Sequence, residues 1–259
     1  MLTLHFNLRF YLLFIYSLYR RTCVGTRSLQ LDEGDQDNIS YDEMLRGCDT
    51  LLLDGRHGCV AARFAREARA RGINVIMDAE TSDRPYFADM LKEATVVVTN
   101  ATFPQSETKE EDLLSAMASL MCDKAAGTRV LITTRGSEGC LAMERCSDPA
   151  SVDFQRVCSE KELCESAASG VDYDQFLFEC RGTSWVVHLR RAIVIPREMV
   201  RDTTGAGDSF VGTVAYGVTK GFSLRKTLDL ATYVSSCKCK GVGSHGGVPK
   251  IDEIPKEYL

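Results

Sequence analysis

The sequence predicts an α/β protein whose core is a three-layer α/β/α sandwich around a mainly parallel sheet. Short apolar runs alternate with longer amphipathic segments, and the runs are continuous rather than interrupted by polar residues. Strands that are buried on both faces of a parallel sheet have this pattern. The chain of 259 residues is long enough to bury one sizeable core, and 44% of its residues are hydrophobic.

The elements of this sheet can be located from periodicity. Four apolar runs predict strands, at 50–53, 73–77, 96–98 and 130–133. Four amphipathic segments predict helices, at 58–71, 110–126, 207–219 and 224–240. Ligands bind at the carboxyl ends of the strands in such sheets. The polar residues that follow the four runs, and near which we expect the chemistry, are Asp54, Asp78, Asn100 and Thr134.

Two segments do not follow this alternation of predicted strands and helices. Residues 1–40 are expected to lie outside the core, as an apolar leader followed by a polar linker. The apolar stretch 10–18 would span about 14 Å as a helix, which is too short to cross a bilayer. A signal peptide and an anchor within residues 1–24 stay open as alternatives. Residues 145–181 are rich in Ser, Glu, Asp and Cys without periodicity, and they predict a surface insertion.

Composition narrows the class of protein. The net charge of −5 gives no reason to expect a nucleic-acid partner. The eleven cysteines form no CxxC pair, so we expect a cytoplasmic protein with reduced, mostly buried cysteines. Zinc binding is the alternative. We expect no membrane partner, and a homodimer stays open.

One motif points to phosphate chemistry. Residues 202–210 are DTTGAGDSF, a glycine-rich turn that opens a predicted helix. The N–H groups of Gly205, Ala206 and Gly207 would lie at the helix N-terminus, where they could stabilise an anion. Asp208 in the first helical turn could accept the proton of a substrate hydroxyl. The alternative is a capped helix start in which Asp208 only complements the helix dipole.

The motif resembles the C-terminal signature of the ribokinase/PfkB family of carbohydrate kinases, and the resemblance extends over about residues 41–259. Four further segments resemble family segments: LLDGRH at 52–57, VIMDAE at 75–80, TRGSEG at 134–139 and KGVGSHGGVP at 240–249. The DGR form is similar to the ketohexokinase-like branch. The resemblance implies a ribokinase-like kinase domain over 41–259.

The resemblance also implies roles for residues. Contacts to ATP are implied for Thr134, Gly136, Gly139, Thr204 and Gly243. The implied substrate-binding residues are Asp54 and Arg56 together with the base Asp208, and the alternative for the first two is a loop salt bridge. Asp78 and Glu80 are the predicted positions for Mg²⁺, held through water. A monovalent cation is expected beside Asp202 and Thr204.

Two departures from the family pattern accompany these expectations. The Gly-Gly sugar motif and the small lid sheet are not found before Asp54, so we expect an N-terminally truncated domain. The family's N-x-x-E pattern is absent, because Phe103 stands at the third place after Asn100. The sequence therefore predicts ATP-dependent phosphorylation of a sugar hydroxyl, with a nucleoside as the other acceptor. The alternatives are a non-catalytic or truncated relative that binds a nucleotide or a partner, and a membrane-anchored kinase-like domain.

Overall fold

The computed structural model of the chain describes residues 12–17, 20–24, 31, 33–148 and 172–259. The strands in these residues are β1 (Leu12–Ser17), β2 (Arg20–Val24), β3 (Thr50–Leu53), β4 (Asn74–Ala79), β5 (Val96–Asn100), β6 (Val130–Thr134), β7 (Cys140–Arg145), β8 (Tyr173–Cys180) and β9 (Thr183–Arg190). β1 and β2 form an antiparallel pair of their own. The other strands form one seven-stranded sheet with the order β3-β4-β5-β6-β7-β9-β8.

The helices flank this sheet. They are α1 (Tyr41–Met44), α2 (Gly58–Ala70), α3 (Phe87–Glu93), α4 (Phe103–Thr108), α5 (Leu113–Asp123), α6 (Ala206–Thr219) and α7 (Leu224–Lys238). The polar stretch before α1 contains a 3₁₀ helix at Glu33–Asn38. Within the part of the chain that is described, no helix is both long and apolar enough to cross a membrane.

The sheet is parallel in its first half and antiparallel in its second half. β3, β4, β5 and β6 pair in parallel, as the four apolar runs predict. β7, β9 and β8 then continue the sheet with antiparallel pairing. The mainly parallel α/β sandwich is thus confirmed as a mixed sheet with helices on both faces.

Two core clusters show the three layers. Val97 of β5 packs in one cluster with Met117 of α5. Its neighbour Val98 packs in the other cluster, with Val214 of α6 and Leu228 of α7. Successive strand residues point to opposite faces of a sheet. Helices α6 and α7 therefore cover one face, and α5 covers the other.

The surface insertion predicted at 145–181 is wrong for its last part. Tyr173–Cys180 forms β8, the edge strand of the sheet. Its Phe176 and Leu177 are both buried, whereas Asp174, Gln175 and Glu179 interrupt the apolar pattern that would predict a strand. Residues 149–171 of the predicted insertion lie outside the described residues, as do 10–11 and 18 of the predicted apolar stretch.

Helix α5 begins at Leu113, later than residue 110, where the amphipathic pattern predicts its start. Lys109 ends α4 with a positive φ of 65°, so the residues after it form a connection. The carboxylate of Asp112 then accepts a hydrogen bond from the N–H of Ser115 at 2.6 Å. Asp112 is therefore the N-cap of α5 rather than a residue of its first turn.

The cysteines whose side chains the structure describes are all free. Cys59 and Cys140 are buried, Cys48 is exposed, and the others are half-buried. The expectation of mostly buried cysteines is therefore wrong for this part of the chain. Cys140 is the extreme case, because burial raises the pKa of its thiol to about 12.

Candidate active site

The motif at 202–210 forms the turn that leads into α6. The N–H of Thr204 donates to the Asp202 carboxylate at 2.8 Å, and the N–H of Ala206 donates to the carbonyl oxygen of Thr203 at 3.1 Å. Gly205 is the N-cap of α6 and has a φ of 79°. These contacts give the glycine-rich turn a fixed shape before the helix begins.

Gly205 is required by space as well as by backbone conformation. A Cβ at this position would lie 2.5 Å from the carbonyl oxygen of Ser244. A positive φ is also costly for residues with a side chain. The glycine-rich turn therefore packs directly against the loop that follows α7.

Two of the N–H groups at this helix start point to an anion site. Among the described residues, no acceptor binds the N–H groups of Gly207 and Asp208. Unpaired N–H groups at a helix N-terminus favour an anion. Ala206 differs from the expectation, because its N–H already donates to Thr203. Of the predicted anion hole, Gly207 therefore keeps a free N–H and Ala206 does not, whereas Asp208 adds a donor that the prediction did not include.

The start of α6 contributes to two clefts. The smaller cleft has a volume of about 430 Å³, and the residues on its wall are Leu31, Leu52, Leu53, Asp54, Arg56, His57, Val60, Ala61, Phe64, Asp78, Asp208 and Val211. The larger cleft has a volume of about 580 Å³ and is lined by Ala206, Gly207 and Phe210 of the same helix. Asp208 therefore faces one cleft, and the residue before it faces the other.

Carboxylates gather around the smaller cleft. Burial raises the pKa of Asp78 to about 7, and the negative charges of Glu80, Asp208 and Asp54 add to this rise. Arg84 is the cation that opposes it. The cluster brings together residues that are far apart in the sequence, and its four carboxylates outnumber the two nearby arginines, Arg84 and Arg56.

The two residues predicted to hold Mg²⁺, Asp78 and Glu80, lie at or near the smaller cleft. Asp78 lies in β4 on the wall of the smaller cleft, and Glu80 is exposed just after this strand. In the described residues, no group of three or more His, Cys, Asp or Glu side chains is arranged to hold a metal ion. The net negative charge around Asp78 does fit a divalent cation that arrives on phosphate oxygens and keeps most of its waters.

Asp54 and Arg56 combine the two roles that the sequence left open. Arg56 Nε lies 3.3 Å from a carboxylate oxygen of Asp54, and about half of each side chain is exposed. An exposed ion pair of this kind contributes little to stability. Both side chains also line the smaller cleft. The loop salt bridge is therefore part of the wall of this cleft.

The turn after β6 lines the larger cleft. Thr134, Gly136 and Gly139 all lie on its wall. The hydroxyl of Thr134 donates to the carbonyl oxygen of Thr99 at 3.1 Å. A Cβ at Gly139 would lie 2.0 Å from the carbonyl oxygen of Arg190, so only glycine fits there. The three residues therefore form a tight turn, and this turn is also part of the cleft wall.

Thr204 and Gly243 lie on the wall of neither cleft. Their N–H groups donate to the two oxygens of the Asp202 carboxylate, at 2.8 and 2.9 Å. Burial acts to raise the pKa of Asp202, but these hydrogen bonds and the nearby Lys238 outweigh it, and the pKa is lowered. Both residues therefore hold the turn in place, and their predicted contact with a nucleotide is not part of this arrangement.

A buried positive charge already lies beside Asp202 and Thr204, where the monovalent cation is expected. The two carboxylate oxygens of Asp202 accept backbone N–H groups. Its carbonyl oxygen accepts a hydrogen bond from the buried ammonium of Lys238 at 2.9 Å. All three oxygens of Asp202 are thus already bound, and a positive charge is already present.

Some residues in the clefts or beside them were not found from the sequence. A guanidinium nitrogen of Arg84 donates to the carbonyl oxygen of Asp54 and so fixes the loop after β3. Segment 192–195 is irregular and lines the larger cleft together with Thr232 and Ser236 of α7. These contacts depend on the tertiary fold, and the local sequence carries no signal for them.

Comparisons with known proteins find sequence similarity around the motif at 202–210. Residues 181–251 match the pfkB family carbohydrate kinase model. The ribokinase of Lactococcus lactis subsp. lactis (strain IL1403) is 42% identical over 55 residues, which are 21% of this chain and 18% of that protein. The ATP-dependent 6-phosphofructokinase of Thermoanaerobacterium thermosaccharolyticum is 44% identical over 59 residues, which are 23% and 18% of the two chains. The chain thus matches less than a fifth of the length of these curated relatives.

Solved structures share the fold over most of the chain. The ribokinase of Thermotoga maritima matches with a TM-score of 0.62 and 14% identity, over 94% of this chain and 67% of that chain. The ribokinase of Arabidopsis thaliana complexed with ribose and ATP matches with a TM-score of 0.58 and 17% identity, over 90% and 64%. Residues 181–251 thus match the pfkB carbohydrate kinases in sequence, and the chain as a whole has a ribokinase-like fold.

Proposed function

We propose that the chain is a carbohydrate kinase that transfers the γ-phosphoryl group of ATP to a sugar hydroxyl. One observation carries this proposal. The helix start that offers free N–H groups at Gly207 and Asp208 contributes to both clefts, so a phosphate bound there would be shared between them. This is the geometry that transfer between two bound molecules requires. On this proposal residues 41–259 form the kinase domain.

In the proposed reaction the nucleotide occupies the larger cleft and the acceptor occupies the smaller one. The Asp208 carboxylate accepts the proton of the acceptor hydroxyl as its oxygen forms a bond to the γ-phosphorus. The bond from this phosphorus to the β–γ bridging oxygen breaks, and ADP leaves with the electron pair. The N–H groups of Gly207 and Asp208 stabilise the charge that develops on the phosphoryl oxygens.

Asp78 and Glu80 are the residues that would hold Mg²⁺ through its waters, and the ion would neutralise phosphate charge. Asp54 and Arg56 line the cleft that would bind the acceptor, where they offer an acceptor and a donor to sugar hydroxyls. The LLDGRH segment that carries them supports a sugar of the kind used by the ketohexokinase-like branch. Nucleoside acceptors remain the second class to assay.

The experiment is transfer of labelled phosphate from MgATP to a panel of sugars and nucleosides, with the product identified by mass. The folded Asp208→Asn protein, purified in the same way, reports any contaminating kinase. We expect transfer to one acceptor class by the natural chain and none by the variant. Binding of a nucleotide without transfer to any acceptor would reject this proposal and favour a non-catalytic nucleotide-binding relative.

A further inference from the structure

Lys238 is the last residue of α7, and its side chain is fully buried, with 0% exposed. A buried ammonium is costly unless hydrogen bonds replace its hydration. Its Nζ donates to the carbonyl oxygen of Asp202 at 2.9 Å and to that of Gly241 at 3.2 Å. Backbone carbonyl oxygens around a single positive charge are also the environment that proteins provide for a bound potassium ion.

The two carbonyl groups belong to different segments. Asp202 begins the turn before α6, and Gly241 lies in the loop after α7. The same segments are joined by the N–H of Arg201, which donates to the carbonyl oxygen of Cys239 at 2.9 Å, and by the contact of Gly243 with the Asp202 carboxylate. The ammonium therefore lies at the junction that fixes the glycine-rich turn.

We propose that the ammonium of Lys238 is a built-in monovalent cation that fixes the turn at 202–208 and makes a potassium or sodium ion unnecessary there. Lys238 contacts neither cleft and is a positioning residue. It acts through Asp202, whose hydrogen bond to Thr204 shapes the turn. This inference does not depend on whether the chain transfers phosphate, because it concerns the conformation of the turn.

The first arm of the test uses the natural chain. Its thermal unfolding is measured in potassium, ammonium, sodium and tetramethylammonium chloride at equal ionic strength. We expect the same Tm in all four salts, because the cation position is already filled from within. A saturable rise of Tm that is specific to potassium, sodium or ammonium would overturn the proposal, since it would reveal an additional cation site.

The second arm uses Lys238→Met, which keeps a side chain of similar length but removes the charge. We expect the Tm to fall by roughly 5 °C or more in tetramethylammonium chloride, because a buried network loses its cation. Potassium or ammonium should restore part of this loss, whereas Lys92→Met on the exposed surface of α3 should show neither effect. A loss that no cation restores would indicate ordinary packing and contradict the proposal. If Lys238→Met does not fold, the first arm alone decides.

Discussion

At the residue scale, Asp78 is the clearest case of a side chain whose surroundings oppose its ionised form. Burial and three neighbouring carboxylates raise its pKa to about 7. Such a group is costly for the fold, and residues of this kind are found at functional sites. An incoming cation would remove the cost, because it compensates the negative charges of the cluster.

Replacing Asp78 by asparagine tests this electrostatic cost. The pKa is raised above its ordinary value of 3.8, so the contribution of Asp78 to stability is fully present below 3.8 and is lost as the pH rises through about 7. Asp78→Asn should therefore have a Tm a few degrees above that of the natural chain at pH 8, with a weaker dependence on pH between 4 and 8. The measurement is thermal unfolding without nucleotide or metal.

The control for this prediction is Asp89→Asn, which changes an exposed carboxylate on α3. It should leave the pH dependence of the Tm unchanged. Equal or lower stability of Asp78→Asn at pH 8 would show that the carboxylate is not strained by its surroundings.

At the scale of the elements, the packing of α6 against α7 supports the glycine-rich turn at 202–208, which leads into α6. Gly217 of α6 faces Thr227 of α7, and a Cβ there would lie 2.6 Å from the hydroxyl oxygen of Thr227. Gly212 lies on the exposed side of the same helix, where a Cβ would meet no atom within 4 Å. A side chain would therefore collide with α7 at Gly217, whereas one would fit at Gly212.

The two glycines make a matched pair of substitutions. Gly217→Ala should lower the free energy of unfolding by about 1–3 kcal/mol, because the helices must move apart. Gly212→Ala should raise it by roughly 0.5–1 kcal/mol, because alanine favours the helix. Urea unfolding measures both values. Shifts of the same sign would contradict the packing of α6 on α7.

The sequence identified the elements that carry a local signal. The apolar runs predicted β3, β4, β5 and β6, and helical periodicity predicted α2, α6 and α7. It missed β8, because polar residues of this edge strand lie on both sides of its short apolar segment 176–178. The buried Lys238 did leave a signal, since it continues the buried stripe of α7 at helical spacing from Ala231 and Val234.

At the scale of the whole molecule, the sheet brings together side chains that are distant in the chain. Asp54 follows β3 and Asp78 lies in β4, at one edge of the parallel half of the sheet, and Asp208 lies in the first turn of α6. The motif alone predicted Asp208, but its position between two clefts depends on the three-layer packing. The hydrogen bond from Ala206 to Thr203 likewise depends on the folded turn, and sequence reasoning could not find it.

The proposed phosphate transfer depends most directly on Asp208. The decisive measurement is the kinetics of phosphate transfer by Asp208→Asn beside nucleotide binding by the same protein, once the acceptor is known. We expect kcat to fall by about 10²–10⁴-fold, because a general base is lost, with the Kd for ATP nearly unchanged and Asp89→Asn fully active. An unchanged kcat in Asp208→Asn would contradict the assignment of the base, and with it the proposed role of the turn between the clefts.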